Sequence, residues 1–233
     1  VQMNIPFLDL EKIHHSIRGS IDAAFRRVID SGWYLMGKEL ETFEKKYADF
    51  CNVKFALGVA NGLDALRLIF RAYIELGVMS KGDEIIVSGL EHHSNIVPWQ
   101  MLCEKTKATL KVIPMTQEGA LDMDAYDNLL LLNPKLVFVN HISNALGTIN
   151  PIEEMIQKAH KVGAAILIDG AQACPHIKPD VQALDVDFYV TSGHKMCGPT
   201  GVGMLYAKEA WLHKLPPYQG GGEMISEVTF KET

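Results

Sequence analysis

The stretch Ala164-Ala165-Ile166-Leu167-Ile168-Asp169 places an unbroken apolar run directly before a carboxylate. A short apolar run without polar alternation is typical of a strand buried on both faces, as the strands of parallel sheets are. Similar runs recur along the chain, and segments of helical length separate them. This alternation predicts an α/β fold with a mainly parallel sheet flanked by helices.

The sequence also predicts where these elements begin and end. Apolar runs indicate strands at 55–60, 84–88, 109–114, 136–141, 164–169, 187–191 and 202–207. Apolar residues at steps of three or four, with Gly or Pro near the ends, indicate helices at 9–30, 38–50, 63–76, 95–105, 122–132 and 151–163.

Composition restricts the classes of function. The 233 residues are 48% hydrophobic and 21% charged, which is typical of a globular protein with a substantial core. A net charge of -6 argues against a nucleic-acid partner, because phosphate-binding surfaces are rich in clustered Lys and Arg. No secretory signal or membrane-length apolar run is visible, and the four cysteines are widely spaced. We therefore expect no membrane association and a reducing, cytoplasmic location.

Polar residues follow several predicted strands, at the edge where ligands of parallel sheets bind. Asp169 is either a helix N-cap or a carboxylate that pairs with the protonated pyridine nitrogen of pyridoxal phosphate (PLP). Lys195 is either a solvated side chain or a desolvated amine of the kind that forms Schiff bases. Gly62 and Leu63 form either an ordinary turn or a helix N-terminus that binds phosphate.

Several longer motifs resemble those of a known family, which the single residues above do not. They are Glu91-His92-His93-Ser94-Asn95-Ile96-Val97-Pro98-Trp99-Gln100, Ser143-Asn144-Ala145-Leu146-Gly147-Thr148, Asp169-Gly170-Ala171-Gln172, Ser192-Gly193-His194-Lys195 and Gly220-Gly221-Gly222-Glu223-Met224-Ile225. With these motifs, residues 83–233 resemble the group II cysteine desulfurases and selenocysteine lyases of the class V aminotransferase group. The resemblance implies the large domain of a fold-type-I PLP enzyme.

That resemblance implies roles around the PLP ring for the matching residues. Lys195 would hold PLP as a Schiff base and would be catalytic together with His92, which would stack on the ring. Asp169 would pair with the pyridine nitrogen, and Gln172 would hydrogen-bond the phenolic oxygen. Asn144 would lie near the carboxylate of the substrate.

The same resemblance assigns the PLP phosphate to Ser192 and His194. In place of the threonine-containing phosphate segment of the desulfurases, this chain has Asn61, Gly62, Leu63 and Asp64. The backbone amides of Gly62 and Leu63 are therefore the expected phosphate donors on that side.

The first third of the chain resembles a different family. Ile5-Pro6-Phe7-Leu8-Asp9-Leu10, Ser31-Gly32-Trp33-Tyr34 and the stretch at 58–66 are similar to the nucleotide-sugar aminotransferases, which share the fold. This suggests a natural mosaic or a chimera, with a sugar-aminotransferase-like part at 1–80 and a desulfurase-like remainder of the PLP domain at 81–233. The small C-terminal domain of both families, with the sulfur-accepting cysteine of the desulfurases, is expected to be missing.

Three functions remain open from the sequence. The first is desulfurase-type chemistry on a cysteine-like amino acid, and the second is amino transfer to a nucleotide sugar from an amino donor. The third is a catalytically silent domain. The resemblance also implies a homodimer. A metal site is not expected, since His92, His93, His141 and His176 lack any ligand spacing.

Overall fold

The computed structural model describes residues 9–214, so the stretches at 1–8 and 220–225 lie outside the described residues. The strands are β1 (Leu57–Val59), β2 (Glu84–Ser88), β3 (Thr109–Ile113), β4 (Leu136–Asn140), β5 (Ala165–Asp169), β6 (Phe188–Ser192) and β7 (Gly203–Ala207). They form one seven-stranded sheet in the order β1-β7-β6-β5-β4-β2-β3. The pairs from β3 across to β6 are parallel, whereas β7 runs antiparallel to both β6 and β1. The predicted mainly parallel sheet is confirmed.

Helices cover both faces of this sheet. They are α1 (Leu10–Ser16), α2 (Arg18–Ser31), α3 (Lys38–Phe50), α4 (Gly62–Glu75), α5 (Val97–Thr106), α6 (Met123–Leu130), α7 (Ile152–Lys161) and the short α8 (Glu209–Leu212). Side chains of α4 and α5 pack on one face, and side chains of α6 and α7 pack on the other. Among residues 9–214, no helix is both long enough and apolar enough to cross a membrane.

The single helix predicted for 9–30 is wrong. The backbone of Ile17 leaves the helical region at φ -116° and ψ 10°, and its N–H bonds back to the carbonyls of His14 and His15, which ends α1. Gly19 lies two residues beyond the break, in the first turn of α2. The expected apolar face of the helix is also not buried by the described residues, since Phe25 is 68% exposed.

The strands form because their side chains are buried on both sides of the sheet. All residues of β4 and β6 are buried, so alternate side chains enter the two hydrophobic layers. On one face the Trp99 ring of α5 stacks on Phe138 of β4, with ring centroids 3.6 Å apart. Removal of a fully buried aromatic of this size costs about 3–5 kcal/mol, so this contact fixes α5 against the sheet.

Strand register brings the polar strand ends together. Asn140 at the end of β4 lies opposite Asp169 at the end of β5, and Asp169 lies opposite Val190 of β6. The segments that follow β2, β4, β5 and β6 therefore leave the sheet at the same edge. Such an edge is where open parallel sheets bind their ligands.

Candidate active site

A small cleft lies at the carboxyl edge of the sheet, with about 190 Å³ of empty space including its open mouth. Its walls come from four separate segments of the chain. They consist of His92, Asn140, Ile142, Asn144, Asp169, Ala171, Gln172 and Lys195. The structure thus brings together His92, Asn144, Asp169, Gln172 and Lys195, as expected from the sequence.

Asp169 ends β5 at the base of the cleft. Its Oδ1 accepts a hydrogen bond from the backbone N–H of Ala171 at 2.9 Å. Turns rather than a helix follow, so the N-cap interpretation of this carboxylate is wrong. Oδ2 accepts no hydrogen bond from the described residues, and it is the oxygen left for a ligand. Burial raises the pKa of Asp169, while the hydrogen bond from Ala171 and the neighbouring Lys195 and His92 side chains lower it.

Lys195 ends a short 3-10 helix, Gly193–Lys195, that follows β6 directly. Its side chain is half-buried and lines the cleft. The turn depends on Gly193, because a Cβ there would lie 2.9 Å from the carbonyl oxygen of Val202. The compact turn places the amine beside Asp169, whose pKa its charge lowers.

His92 forms another wall of the cleft. Its Nδ1 contacts the Ser94 hydroxyl and accepts from the Ser94 N–H at 3.2 Å, which fixes the ring. Burial lowers the pKa of His92, and the charges of His93 and Lys195 lower it further. A neutral imidazole held in one orientation is suited to stacking against a flat, electron-poor ring.

A candidate anion site lies where α4 begins, and its residues are not among those that line the cleft. Asn61 caps this helix by accepting the Asp64 N–H at 2.9 Å, and Gly62 N–H donates to the Ser192 hydroxyl oxygen at 3.0 Å. Within the described part of the chain, the N–H of Leu63 and the Ser192 hydroxyl proton have no acceptor. These groups, at a helix N-terminus, are free to bind an anion. His194 is exposed and does not line the cleft.

Sequence reasoning missed Glu91, Asn140 and Tyr189 as residues of this region. Asn140 lines the cleft, and the carboxyl of the half-buried Glu91 accepts its backbone N–H at 2.7 Å. Tyr189 packs under the turn after β5, where a Cβ on Gly170 would lie 2.0 Å from its ring. Glu91 stands directly before His92, and that position was the available signal.

Larger cavities lie away from this edge. One, with about 1260 Å³ of empty space including its open mouth, is at the opposite end of the sheet, where Asp187 binds His160 at 2.9 Å and the Trp211 indole at 3.2 Å. We place the candidate site in the smaller cleft because the side chains suited to cofactor chemistry converge there. No group of three or more metal-ligating side chains occurs among the described residues.

Three of the four cysteines offer little nucleophilic character. Burial raises the pKa of Cys51 and Cys103, and it raises the pKa of Cys174 to about 12. These thiols are protonated at neutral pH and are poor nucleophiles. Cys197 is exposed beyond Lys195.

Comparison with known proteins agrees with this site. The sequence model for class V aminotransferases matches residues 10–233. The chain belongs to the class V aminotransferase family. The cysteine desulfurase of Escherichia coli O8 is 46% identical over 198 residues, which cover 84% of this chain and 48% of that relative. A cysteine desulfurase of Cronobacter sakazakii is 45% identical over 201 residues. This class V aminotransferase chain therefore spans about half the length of the curated relatives it matches.

Solved structures give the same result. The crystal structure of the cysteine desulfurase CsdA from Escherichia coli superposes with a TM-score of 0.78 and 34% identity, and covers 83% of this chain and 49% of CsdA. The cysteine desulfurase of Thermococcus onnurineus superposes with a TM-score of 0.77 and 35% identity, over 83% of this chain and 48% of that protein. The fold-type-I prediction is confirmed. Class V aminotransferases and cysteine desulfurases depend on PLP, which confirms the expected cofactor class.

Proposed function

We propose that this chain is the PLP-binding large domain of an enzyme of the cysteine desulfurase type. The observation that carries the proposal is the convergence of Asp169, Lys195 and His92 on one cleft. The donor set fits PLP, because it combines a buried carboxylate with a free oxygen, an amine, a fixed imidazole and an anion site.

Each residue would have a defined task when PLP is bound. PLP supplies an electron sink that stabilises negative charge at the substrate Cα. Lys195 would hold the cofactor and afterwards carry a proton at Nζ. Asp169 would keep a proton on the pyridine nitrogen through Oδ2, and Gln172 would donate to the phenolic oxygen.

The remaining predicted residues would bind the phosphate of PLP and the carboxylate of the substrate. Ser192, with the amides of Gly62 and Leu63, would bind the phosphate, and His194 stays a predicted phosphate ligand despite its exposure. Asn144 would donate to the carboxylate of a cysteine-like amino acid, the substrate class that the relatives' name indicates.

Spectroscopy of purified protein tests cofactor attachment. Addition of PLP should give the visible absorbance band of lysine-bound PLP, and Lys195→Ala should abolish it because no other amine lines the described cleft. Lys161→Ala, on an exposed position of α7, is the matched control and should keep the band. A band that survives in Lys195→Ala would refute the role of Lys195.

Comparison of amino donors tests the reaction. With an added dithiol as the reductant that releases the transferred sulfur as sulfide, we expect alanine and sulfide from cysteine. Formation of 2-oxoglutarate from glutamate would instead favour the nucleotide-sugar aminotransferase suggested by the N-terminal third. Binding of PLP without turnover of either donor would favour a catalytically silent domain. Slow sulfide release is expected even in the first case, since the described thiols with raised pKa values accept sulfur poorly.

A further inference from the structure

Glu91 is half-buried beside the cleft, and its carboxyl has no role in the function proposed above. It lies between β2 and the 3-10 helix that begins at His93. Oε1 accepts the backbone N–H of Asn140 at 2.7 Å and contacts the Ser88 hydroxyl. Oε2 accepts from Nδ2 of Asn95 at 2.7 Å. Three neighbours thus meet on one carboxyl group.

Two of these neighbours can only donate. The N–H of Asn140 is a backbone donor, and the orientation of Asn95 is set by Trp99, whose indole N–H donates to Asn95 Oδ1 at 2.9 Å. An indole nitrogen cannot accept, so Asn95 must turn its NH₂ group toward Glu91. Both oxygens of Glu91 must therefore act as hydrogen-bond acceptors, and both oxygens of an ionised carboxylate can do so.

These bonds connect two walls of the cleft. Glu91 is adjacent in sequence to His92, and Asn140 ends β4 opposite Asp169. The Asn140 side chain also donates to the carbonyl of Leu90, so the segment before His92 is bound to β4 twice. We propose that Glu91 is a positioning residue whose carboxylate ties the His92 segment to the end of β4 and so sets where His92 lies over the cofactor. This inference rests on the proposed function.

Protonation should loosen this connection. Burial raises the pKa of Glu91 to about 8, and the charge of Asp169, which faces it from β5, raises it as well. Hydrogen bonds from Ser88, Asn95 and Asn140 act in the opposite direction. A proton on Glu91 can be donated only to Ser88, and the protonated Oε1 is then a weaker acceptor for Asn140. We expect His92 to be held more firmly above pH 8 than below it.

The first experiment uses protein without PLP. The NMR signal of the carbon-bound imidazole protons of His92 should show an inflection near pH 8. The pKa of His92 itself is lowered, so this inflection would report a change in its surroundings. Glu91→Gln should remove the inflection, and Glu104→Gln at an exposed position of α5 should keep it. Absence of the inflection in the unaltered protein would overturn the proposal even where Glu91→Gln fails to fold.

The second experiment measures PLP affinity in a double-mutant cycle. Above pH 8, where Glu91 is ionised, Glu91→Gln should weaken binding by about 2- to 160-fold, the range of coupling energies between contacting groups. In a His92→Ala background the same change should have no further effect if Glu91 acts through His92. An equal loss in both backgrounds would show a merely structural role and overturn the proposal. If the unaltered protein does not bind PLP, the proposed function fails, and the NMR experiment still decides the role of Glu91.

Discussion

Asp169 is the residue at which the needs of folding and of cofactor binding conflict. Burial raises its pKa, which means that the ionised form is disfavoured in the folded protein without a ligand. A carboxyl with a higher pKa in the folded than in the unfolded state binds protons more tightly when folded. Its contribution to stability therefore increases as the pH falls through the folded pKa. An ionised Asp169 therefore costs stability in the protein without a ligand, and the proposed pairing with a pyridinium would account for its presence.

Replacement of Asp169 should separate these two effects. Asp169→Asn should raise the melting temperature of the PLP-free protein by about 2–4 °C, the shift that about 1 kcal/mol produces at this chain length. The same change should weaken PLP binding, because an amide cannot retain the pyridinium proton as a carboxylate does. Thermal melts with and without PLP measure both, and Asp30→Asn on α2 is the exposed control. A PLP-free variant that is less stable than the unaltered protein would contradict this account.

At the scale of elements, α4 is the helix whose start serves the site. A Cβ on Gly203 of β7 would lie 2.6 Å from the backbone of Asn61, so only glycine allows β7 and the turn before α4 to approach this closely. This approach brings Gly62 to Ser192 at the end of β6. The anion site is therefore built from the contact between a helix start and two strands.

Loss of the α4 cap should affect both stability and ligand binding. Asn61→Ala removes the acceptor of the Asp64 N–H and should lower the free energy of unfolding by about 1 kcal/mol. Asp122→Ala removes the matching cap of α6, whose side chain accepts the Ala125 N–H at 2.9 Å. Urea denaturation should show similar losses for both, and only Asn61→Ala should weaken PLP binding. Equal PLP affinity in the two variants would remove α4 from the proposed phosphate site.

Elements were predictable to the extent that their signals are local. The apolar run at 84–88 predicts β2 at the residues where it lies, and the helix end predicted at Gly163 is two residues beyond Lys161, where α7 ends. Both signals are local, because apolar periodicity and glycine act on neighbouring residues. The break at Ile17 was missed, because the apolar steps from Ile13 through Ile17 to Ile21 continue across it and Gly19 alone did not outweigh them. Glu91 was missed for a different reason: the backbone N–H that it accepts belongs to Asn140, which is distant in sequence at the end of β4.

For the whole molecule, exposed apolar side chains on the N-terminal helices support the expected homodimer. Ile21, Phe25 and Ile29 of α2 are exposed, as are Trp33 and Leu35 beyond it. Clustered apolar surface of this kind is unusual on monomers and indicates an interface. Sedimentation at micromolar concentration should give the mass of a dimer, and Phe25→Glu should shift the species toward monomer. Arg26→Glu, at the neighbouring exposed residue, is the control for added charge; a monomer in the unaltered protein would exclude the dimer.

The order of the strands could not be predicted from the sequence, although the mainly parallel class of the sheet could. Continuous apolar runs indicate burial on both faces, but they carry no information about strand direction. The antiparallel course of β7 and its place between β6 and β1 depend on contacts between distant residues, such as Leu57 with Leu205. The place of Asp169 and Lys195 in the candidate site was predictable, because each belongs to a longer motif. The size of the cleft was not predictable.

The position of β7 has a consequence for how the chain folds. Among the described strands, β1 pairs only with β7, the last of the seven, so β1 belongs to the sheet through β7 alone. Pairings between residues so far apart in sequence close late and slowly, because the entropy of the intervening loop is lost before contacts compensate for it. The contact of Gly62 with Ser192 likewise joins residues 130 positions apart. We therefore expect the candidate anion site to form late in folding.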